Sequence, residues 1–253
     1  VSPVAGIIKS IERGPKRKIE KIIIEASDNQ KSVSHSIDNW DKKTRDDLKA
    51  ILSKSGNWPF IHQRPYGIMA NPLETPKAIF VSTVKTDPLE GDMQFILKDK
   101  KKKFQLGIDL LNKLVDQNVF LGIEKSFSGY FSSIERVQHY TIQGPHPVGN
   151  ISFHIQKICP LNMGEVVWTV NAEDVVNLGE FLSTGIFSPL RTVAVSGNSV
   201  EQPKYFQTII GSELKPILKK AGIRNNENRV INGNVLTGSI SDLSDYLSYF
   251  NNL

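Results

Sequence analysis

At 253 residues the chain exceeds the roughly 100 to 200 residues usual for one domain, which favours two or three small units over one large one. Hydrophobic residues at 39% and charged residues at 23% are the balance of a chain that buries a core, so disorder is excluded as the general state. No apolar run approaches the roughly 20 residues of a membrane-spanning helix, and a single cysteine, Cys159, excludes both an internal disulfide and a four-cysteine iron–sulfur cluster held by this chain alone.

Residues 5–11 and 19–25 read as two short strands joined by the turn-forming stretch Glu12-Arg13-Gly14-Pro15-Lys16-Arg17. A lone hairpin is marginal in water, so the pair either docks on the rest of the chain or has partners upstream of Val1. Because Val1 opens directly onto a strand-like pattern, the expected start of the natural protein lies further upstream. Residues 27–43 are polar and read as a linker. Leu48, Ile51 and Leu52 then recur at helical spacing up to Gly56, a natural helix stop. In Trp58-Pro59-Phe60-Ile61-His62-Gln63-Arg64-Pro65-Tyr66 two prolines interrupt an aromatic-rich stretch, which predicts an ordered loop rather than a helix or a central strand.

Between residues 77 and 196 strands and helices alternate: strand 78–83, helix 104–115, strands 119–123 and 136–142, helix 148–158, strand 166–170, helix 173–182 and strand 191–196. This alternation predicts an α/β layer with a mainly parallel sheet. Lys98, Lys100, Lys101, Lys102 and Lys103 carry the densest part of the net charge of +5. With no aromatics between them, they read as the solvated approach to the helix at Phe104 rather than as a nucleic-acid surface. Beyond Gly197 the pattern is a strand at 205–210, a helix through Leu214, Ile217 and Leu218 with Ser212 as N-cap, and a strand at 229–231. Asn225, Asn226 and Asn228 read as a turn.

The strongest local signature is Gly144-Pro145-His146-Pro147-Val148-Gly149, between a predicted strand and a predicted helix. In a parallel sheet ligands bind in the crevice at the strands' C-terminal ends, which makes His146 a candidate donor. The same prolines and glycines also make an ordinary tight turn, and spacing alone favours that reading. The segment lacks G-x-G-x-x-G spacing and no Walker sequence occurs, so phosphate recognition by a glycine-rich loop is not expected. His35, His62, His139, His146 and His154 include no zinc-like i, i+4 pair with an acid, so no metal site is expected. Trp58, Phe60 and Tyr66, with His62 and Arg64 between them, combine flat apolar faces with donors, a combination that suits a quinone ring and its carbonyl oxygens. Ordinary packing at a domain junction is the competing reading. Cys159 is read as an inert, packed thiol and is given no role.

Taken together, several stretches resemble the A subunit of the bacterial sodium-translocating NADH:quinone reductases. They are Ser2-Pro3-Val4-Ala5-Gly6, Ser55-Gly56-Asn57-Trp58-Pro59, Gln63-Arg64-Pro65-Tyr66, Ala78-Ile79-Phe80-Val81-Ser82, Gly144-Pro145-His146-Pro147 with His154, Val167-Trp168, Phe181-Leu182-Ser183-Thr184-Gly185, and Glu227-Asn228-Arg229-Val230-Ile231 with Val235-Leu236-Thr237-Gly238. The chain departs from the family pattern at Gln156, where a second histidine is frequent, and at Tyr66, where phenylalanine is common.

The resemblance implies an α/β fragment truncated at both ends. Residues 1–35 would be part of a lipoyl-like barrel-sandwich domain, residues 36–198 a Rossmann-like domain similar to the flavin-binding subunit of complex I, and residues 199–253 a β-grasp module that binds soluble ligands. It further implies a peripheral subunit on the cytoplasmic face of the bacterial inner membrane, with no flavin or iron–sulfur centre of its own. This subunit would contribute to quinone binding and assembly and be inactive alone. NADH, the flavins, the iron–sulfur centre and sodium movement would belong to partner subunits, the integral membrane ones above all. The alternatives are a flavin- or NADH-binding oxidoreductase domain, disfavoured by the missing glycine fingerprint, and a purely structural adaptor.

Overall fold

The computed structural model describes residues 1–125, 128–223 and 228–248; Asn225, Asn226 and Glu227 lie outside them. Strand β1 (Gly6–Arg13) pairs antiparallel with β2 (Ile19–Ala26). Both strands are largely exposed, with Ile7, Ile8 and Ile22 more than half accessible. The following polar stretch holds a short 3-10 turn at Trp40–Lys42 and a backbone bridge from Ser34 to Ile186. Thr44 then opens α1 (Arg45–Ser55) with a reciprocal capping box to Asp47, and Gly56 ends it in the left-handed region at φ 81°.

The stretch expected to be a loop holds a strand. A 3-10 turn at Trp58–Phe60 leads into β3 (Ile61–Arg64), which lies inside the main sheet between β4 (Ile68–Met69) and β8 (Val167–Asn171). The strand survives because Pro59 precedes it and Pro65 follows it, so neither removes a ladder donor. The six strands run in the order β4-β3-β8-β5-β6-β7, with β5 at Ala78–Ser82, β6 at Asn118–Glu124 and β7 at Gln138–Ile142. β8, β5, β6 and β7 are mutually parallel, and β3 and β4 are antiparallel to their neighbours, which agrees with the expected mainly parallel α/β sheet.

Alternation along the strands builds two cores. Ile79, Val81, Val119, Leu121, Ile123, Trp168 and Val170 face one side, where α1, α3 (Lys101–Leu114) and α6 (Ala172–Thr184) cover them. Ala78, Phe80, Phe120 and Val167 face the other side, under α5 (Ile151–Ile158). Cys159 packs against that second cluster as a free thiol. The short helices α2 (Met93–Ile96) and α4 (Ser128–Phe131) lie in connections and were not foreseen. The lysine run enters α3 instead of preceding it: Lys100 is the cap and Lys101, Lys102 and Lys103 form the first turn, exposed opposite the apolar stripe from Phe104 to Leu114.

The strand expected to complete the alternation, β9 (Leu190–Val195), does not join the sheet. It pairs antiparallel with β10 (Lys204–Ile209), because Val193 and Val195 find apolar partners in α7 (Leu214–Lys220). Strands β11 (Val230–Asn232) and β12 (Ser239–Ser241) complete this smaller unit, which has its own core around Leu214, Ile217, Leu218 and Leu247. The N-cap of α7 is Glu213. Ser212 instead accepts hydrogen bonds at its hydroxyl from Thr208 at 2.7 Å and from the Ile209 amide at 3.3 Å, holding the end of β10.

Candidate functional site: a cleft at the ends of the parallel strands

β5 and β8 run parallel and finish side by side at Ser82 and Asn171. Their C-terminal ends open onto a cleft of about 730 Å³, lined on one side by Arg64, Ser82, Lys85, Glu90, Asn171 and Glu173, and on the other by residues of the smaller unit, including Thr192, Ser196, Asn198 and Arg229. A side pocket of about 200 Å³ continues past His62, Arg64, Lys85 and Asp87 to Gly149 and Asn150. The sheet thus brings together two segments that are more than 80 residues apart in sequence, β3 and the turn at 144–149.

Alternation along β3 explains its share. Ile61 and Gln63 point into the packed layer and are buried, which leaves His62 and Arg64 half-buried on the opposite face. The Nε of Arg64 is buried with no hydrogen-bond partner among the described residues. Burial pulls the guanidinium below its ordinary value, and no carboxylate counteracts it. His62 is also lowered, first by burial, with Asp174 opposing and Arg64 adding to the effect. Lys85 is 3.0 Å from Glu90, yet burial still pushes Glu90 above the usual carboxylate range.

Of the aromatic candidates, Trp58 and Phe60 are core residues. Trp58 donates its indole N–H to the Ala70 carbonyl at 2.7 Å and meets Trp168 edge-on, while Phe60 stacks on Phe187 and lies under Arg191. Tyr66 is 72% exposed on the β3–β4 turn, outside the cleft. The candidate quinone set therefore divides into two buried rings, two residues facing the cleft and one exposed ring.

In the turn, Gly144, Pro145, His146 and Pro147 are exposed. His146 Nδ1 lies 3.3 Å from the Thr86 hydroxyl and 3.7 Å from Asp87. Gly149 donates its amide to the same hydroxyl at 3.0 Å, and a Cβ there would stand 2.6 Å from that oxygen, so the close approach requires glycine. Behind the turn His154 is fully buried. Its Nε2 lies 2.6 Å from the Val148 carbonyl, which can only accept, so Nε2 carries the proton; Nδ1 then accepts from the Tyr140 hydroxyl at 2.9 Å. His154 is thus a neutral brace between β7, α5 and the turn.

This bracing makes stability depend on pH. Burial lowers His154 below 6.5 despite the opposing Val148 hydrogen bond, and His62 is lowered too. The unfolded chain therefore takes up these protons first, so stability is full above about 6.5 and falls as pH drops below it, by at most about 1.4 kcal/mol per pH unit per group. Melting measured from pH 8 to pH 5 should show this decline, with a shallower slope in His154→Gln. Equal slopes in the two proteins would remove His154 from the account.

A buried ion cluster closes the floor where α6 meets β9. Arg191 Nη2 is 2.5 Å from Asp174, its Nη1 is 3.8 Å from Glu173, and Glu173 also accepts from the Thr192 amide at 2.7 Å. Lys85, Glu90, Asn171, Glu173, Arg191 and Arg229 were not anticipated, since they come from four separated segments with no shared local pattern. The one usable signal was positional: Lys85 and Glu173 follow closely on the ends of β5 and β8. Among the described residues no group of three or more His, Cys, Asp or Glu is placed to hold a metal ion, and no helix is long and apolar enough to cross a membrane.

The fold has relatives. The solved structure of an NAD+-reducing NiFe-hydrogenase in the air-oxidized state superposes with a TM-score of 0.56 over 89% of this chain and 51% of that one, at 13% identity, a likeness of fold alone. The A subunit of the Na(+)-translocating NADH-quinone reductase from Alcanivorax borkumensis is 31% identical over 94% of this chain and 53% of its own length. The protein of the same name from Photorhabdus laumondii is 31% identical over the whole of this chain and 57% of its own. The chain therefore spans little more than half the length of these curated relatives. Residues 192–242 match the NQRA C-terminal domain and residues 43–187, more than half of the chain, match the NqrA second alpha/beta domain, so the chain belongs to the NqrA family of Na(+)-translocating NADH-quinone reductase subunits.

Proposed function

We propose that the chain is part of a peripheral subunit, without redox cofactors of its own, in a sodium-pumping NADH:quinone oxidoreductase, where it contributes to quinone binding and to assembly. The observation that carries this reading is Arg64, a half-buried guanidinium with an unsatisfied Nε at the end of β3, followed two residues later by the exposed Tyr66. Quinone carbonyls accept hydrogen bonds and quinone faces stack, so Arg64 and His62 supply donors and Tyr66 an apolar face. Trp58 and Phe60 anchor β3 from behind and act on the quinone only through that strand. Across the side pocket, Gly149 and Asn150 form the facing rim, at the end of the turn that begins with Gly144, Pro145, His146 and Pro147.

In this reading NADH oxidation, the flavins, the iron–sulfur centre and sodium movement belong to partner subunits, with integral membrane subunits holding this one at the cytoplasmic face of the inner membrane. The N-terminal hairpin belongs to a barrel-sandwich domain, the central sheet is Rossmann-like, and the C-terminal unit is a β-grasp module. The exchange of pairing at β9 supports a boundary near residue 190 between the last two, earlier than the expected 198.

The test is titration of a soluble quinone analogue into the assembled complex carrying wild-type, Tyr66→Ala or Arg64→Ala chains. Tyr66→Ala should weaken binding by roughly twofold to tenfold, since an aromatic contact is worth about 0.5–1.5 kcal/mol beyond its area, and Arg64→Ala by a similar factor. Unchanged affinity in both normally melting variants would leave the 58–66 segment as packing alone.

A further inference from the structure

We propose that the cleft between the α/β sheet and the C-terminal unit binds the phosphate group of a nucleotide-sized organic phosphate, gripped by Arg64 and Arg229. The placement of two arginines in the cleft leads to this assignment. Each of its carboxylates is engaged through one oxygen, Glu90 Oε1 by Lys85 at 3.0 Å and Glu173 Oε1 by the Thr192 amide at 2.7 Å, with Arg191 3.8 Å from Glu173 Oε2. Arg64 and Arg229 both line the cleft, and neither has a hydrogen bond or ion pair among the described residues. Two guanidinium groups from two different units thus meet at one cavity, Arg64 half-buried with an unsatisfied Nε and Arg229 exposed at the rim.

Desolvating a guanidinium is costly unless an anion meets it, and a planar fork of N–H donors matches phosphate oxygens two at a time. Arg64 and Arg229 together bring two positive charges to a phosphate monoester, which carries close to two negative charges at neutral pH. A volume of about 730 Å³ is within the range of small-molecule sites and leaves room for an organic moiety beside the phosphate. Asn171, Ser196, Asn198 and Thr192 add neutral polar groups to the walls. The missing glycine-rich fingerprint fits this arrangement, because here side chains meet the anion in place of backbone amides.

The experiment is calorimetric titration of the protein at low ionic strength with inorganic phosphate, adenosine monophosphate and adenosine, with chloride at matched ionic strength as reference. Adenosine monophosphate is expected to bind at least tenfold more tightly than adenosine, and phosphate to compete with it. Arg64→Gln and Arg229→Gln, checked for unchanged melting without ligand, should each weaken adenosine monophosphate at least tenfold, while Tyr66→Ala should leave it unaltered. Equal binding of adenosine and its monophosphate, no displacement by phosphate, or full affinity in both arginine variants would overturn the proposal. Arg229 plays no part in the quinone reading and Tyr66 none in this one, so failure of either reading is visible separately.

Discussion

Replacing Arg191 by alanine is expected to lower the unfolding free energy by about 3–5 kcal/mol, the usual cost of removing one partner from a buried ion pair. Arg191 is 6% exposed, and its partners Glu173 and Asp174 are 5% and 2% exposed. Removing the guanidinium leaves two neighbouring carboxylates in a low-dielectric site. Burial already pushes Glu173 up, with Arg191 the first influence opposing that rise, so the variant should push Glu173 further up. Phe60 loses the cation 5.4 Å above its ring as well. Urea unfolding at pH 7.5 measures the loss. Because the carboxylates are what suffers, adding Glu173→Gln and Asp174→Asn to Arg191→Met should recover a substantial part of it. A loss under 1 kcal/mol in Arg191→Ala would mean that the cluster is well hydrated and carries little of the junction between α6 and β9.

The second large effect is expected at Gly179, where alanine should destabilise by roughly 2–3 kcal/mol. In the middle of an exposed helix the same change stabilises by about 1 kcal/mol, because alanine is the better helix former. Here packing reverses the sign. A Cβ on Gly179 would stand 1.8 Å from the Lys103 carbonyl oxygen and 3.1 Å from the Gly107 amide nitrogen, while one on Gly107 would stand 2.1 Å from the Val175 carbonyl. The two glycines let α3 and α6 cross with backbones nearly in contact, and both helices then sit on the same face of the sheet. Alanine must push them apart and loosen Phe104, Ile108, Leu178 and Phe181 together. Chemical denaturation of Gly179→Ala and Gly107→Ala tests this, and a stabilised Gly179→Ala would show that the helices adjust without cost.

Where local forces decide the outcome, the residues alone carried the answer. The apolar runs that define β5, β6 and β8, the glycine stop after α1 and the apolar stripe of α3 are short-range patterns, and the sheet is mainly parallel as the alternation of strands with helices predicts. Local reading failed where a long-range partner outweighed it. Prolines at 59 and 65 suggested a loop, but the four residues between Trp58-Pro59-Phe60 and Pro65 keep every ladder donor and were taken up beside β8, a partner about a hundred residues away. β9 looked like one more sheet strand until its valines met α7. Ser212 had the chemistry of a cap and was claimed by Thr208.

Sequence by itself determined the family, the α/β class and the roles open to His62, Arg64, Tyr66 and His146, because residue types and their order are enough for those. Only the tertiary structure decided that Trp58 and Phe60 face inward, that His62 and Arg64 share a pocket with the turn before α5, and that Arg229 lines the same cleft as Arg64. The reason is physical: which face a strand buries, and which charges are left without partners, depend on neighbours brought together from distant segments, and no local pattern records them.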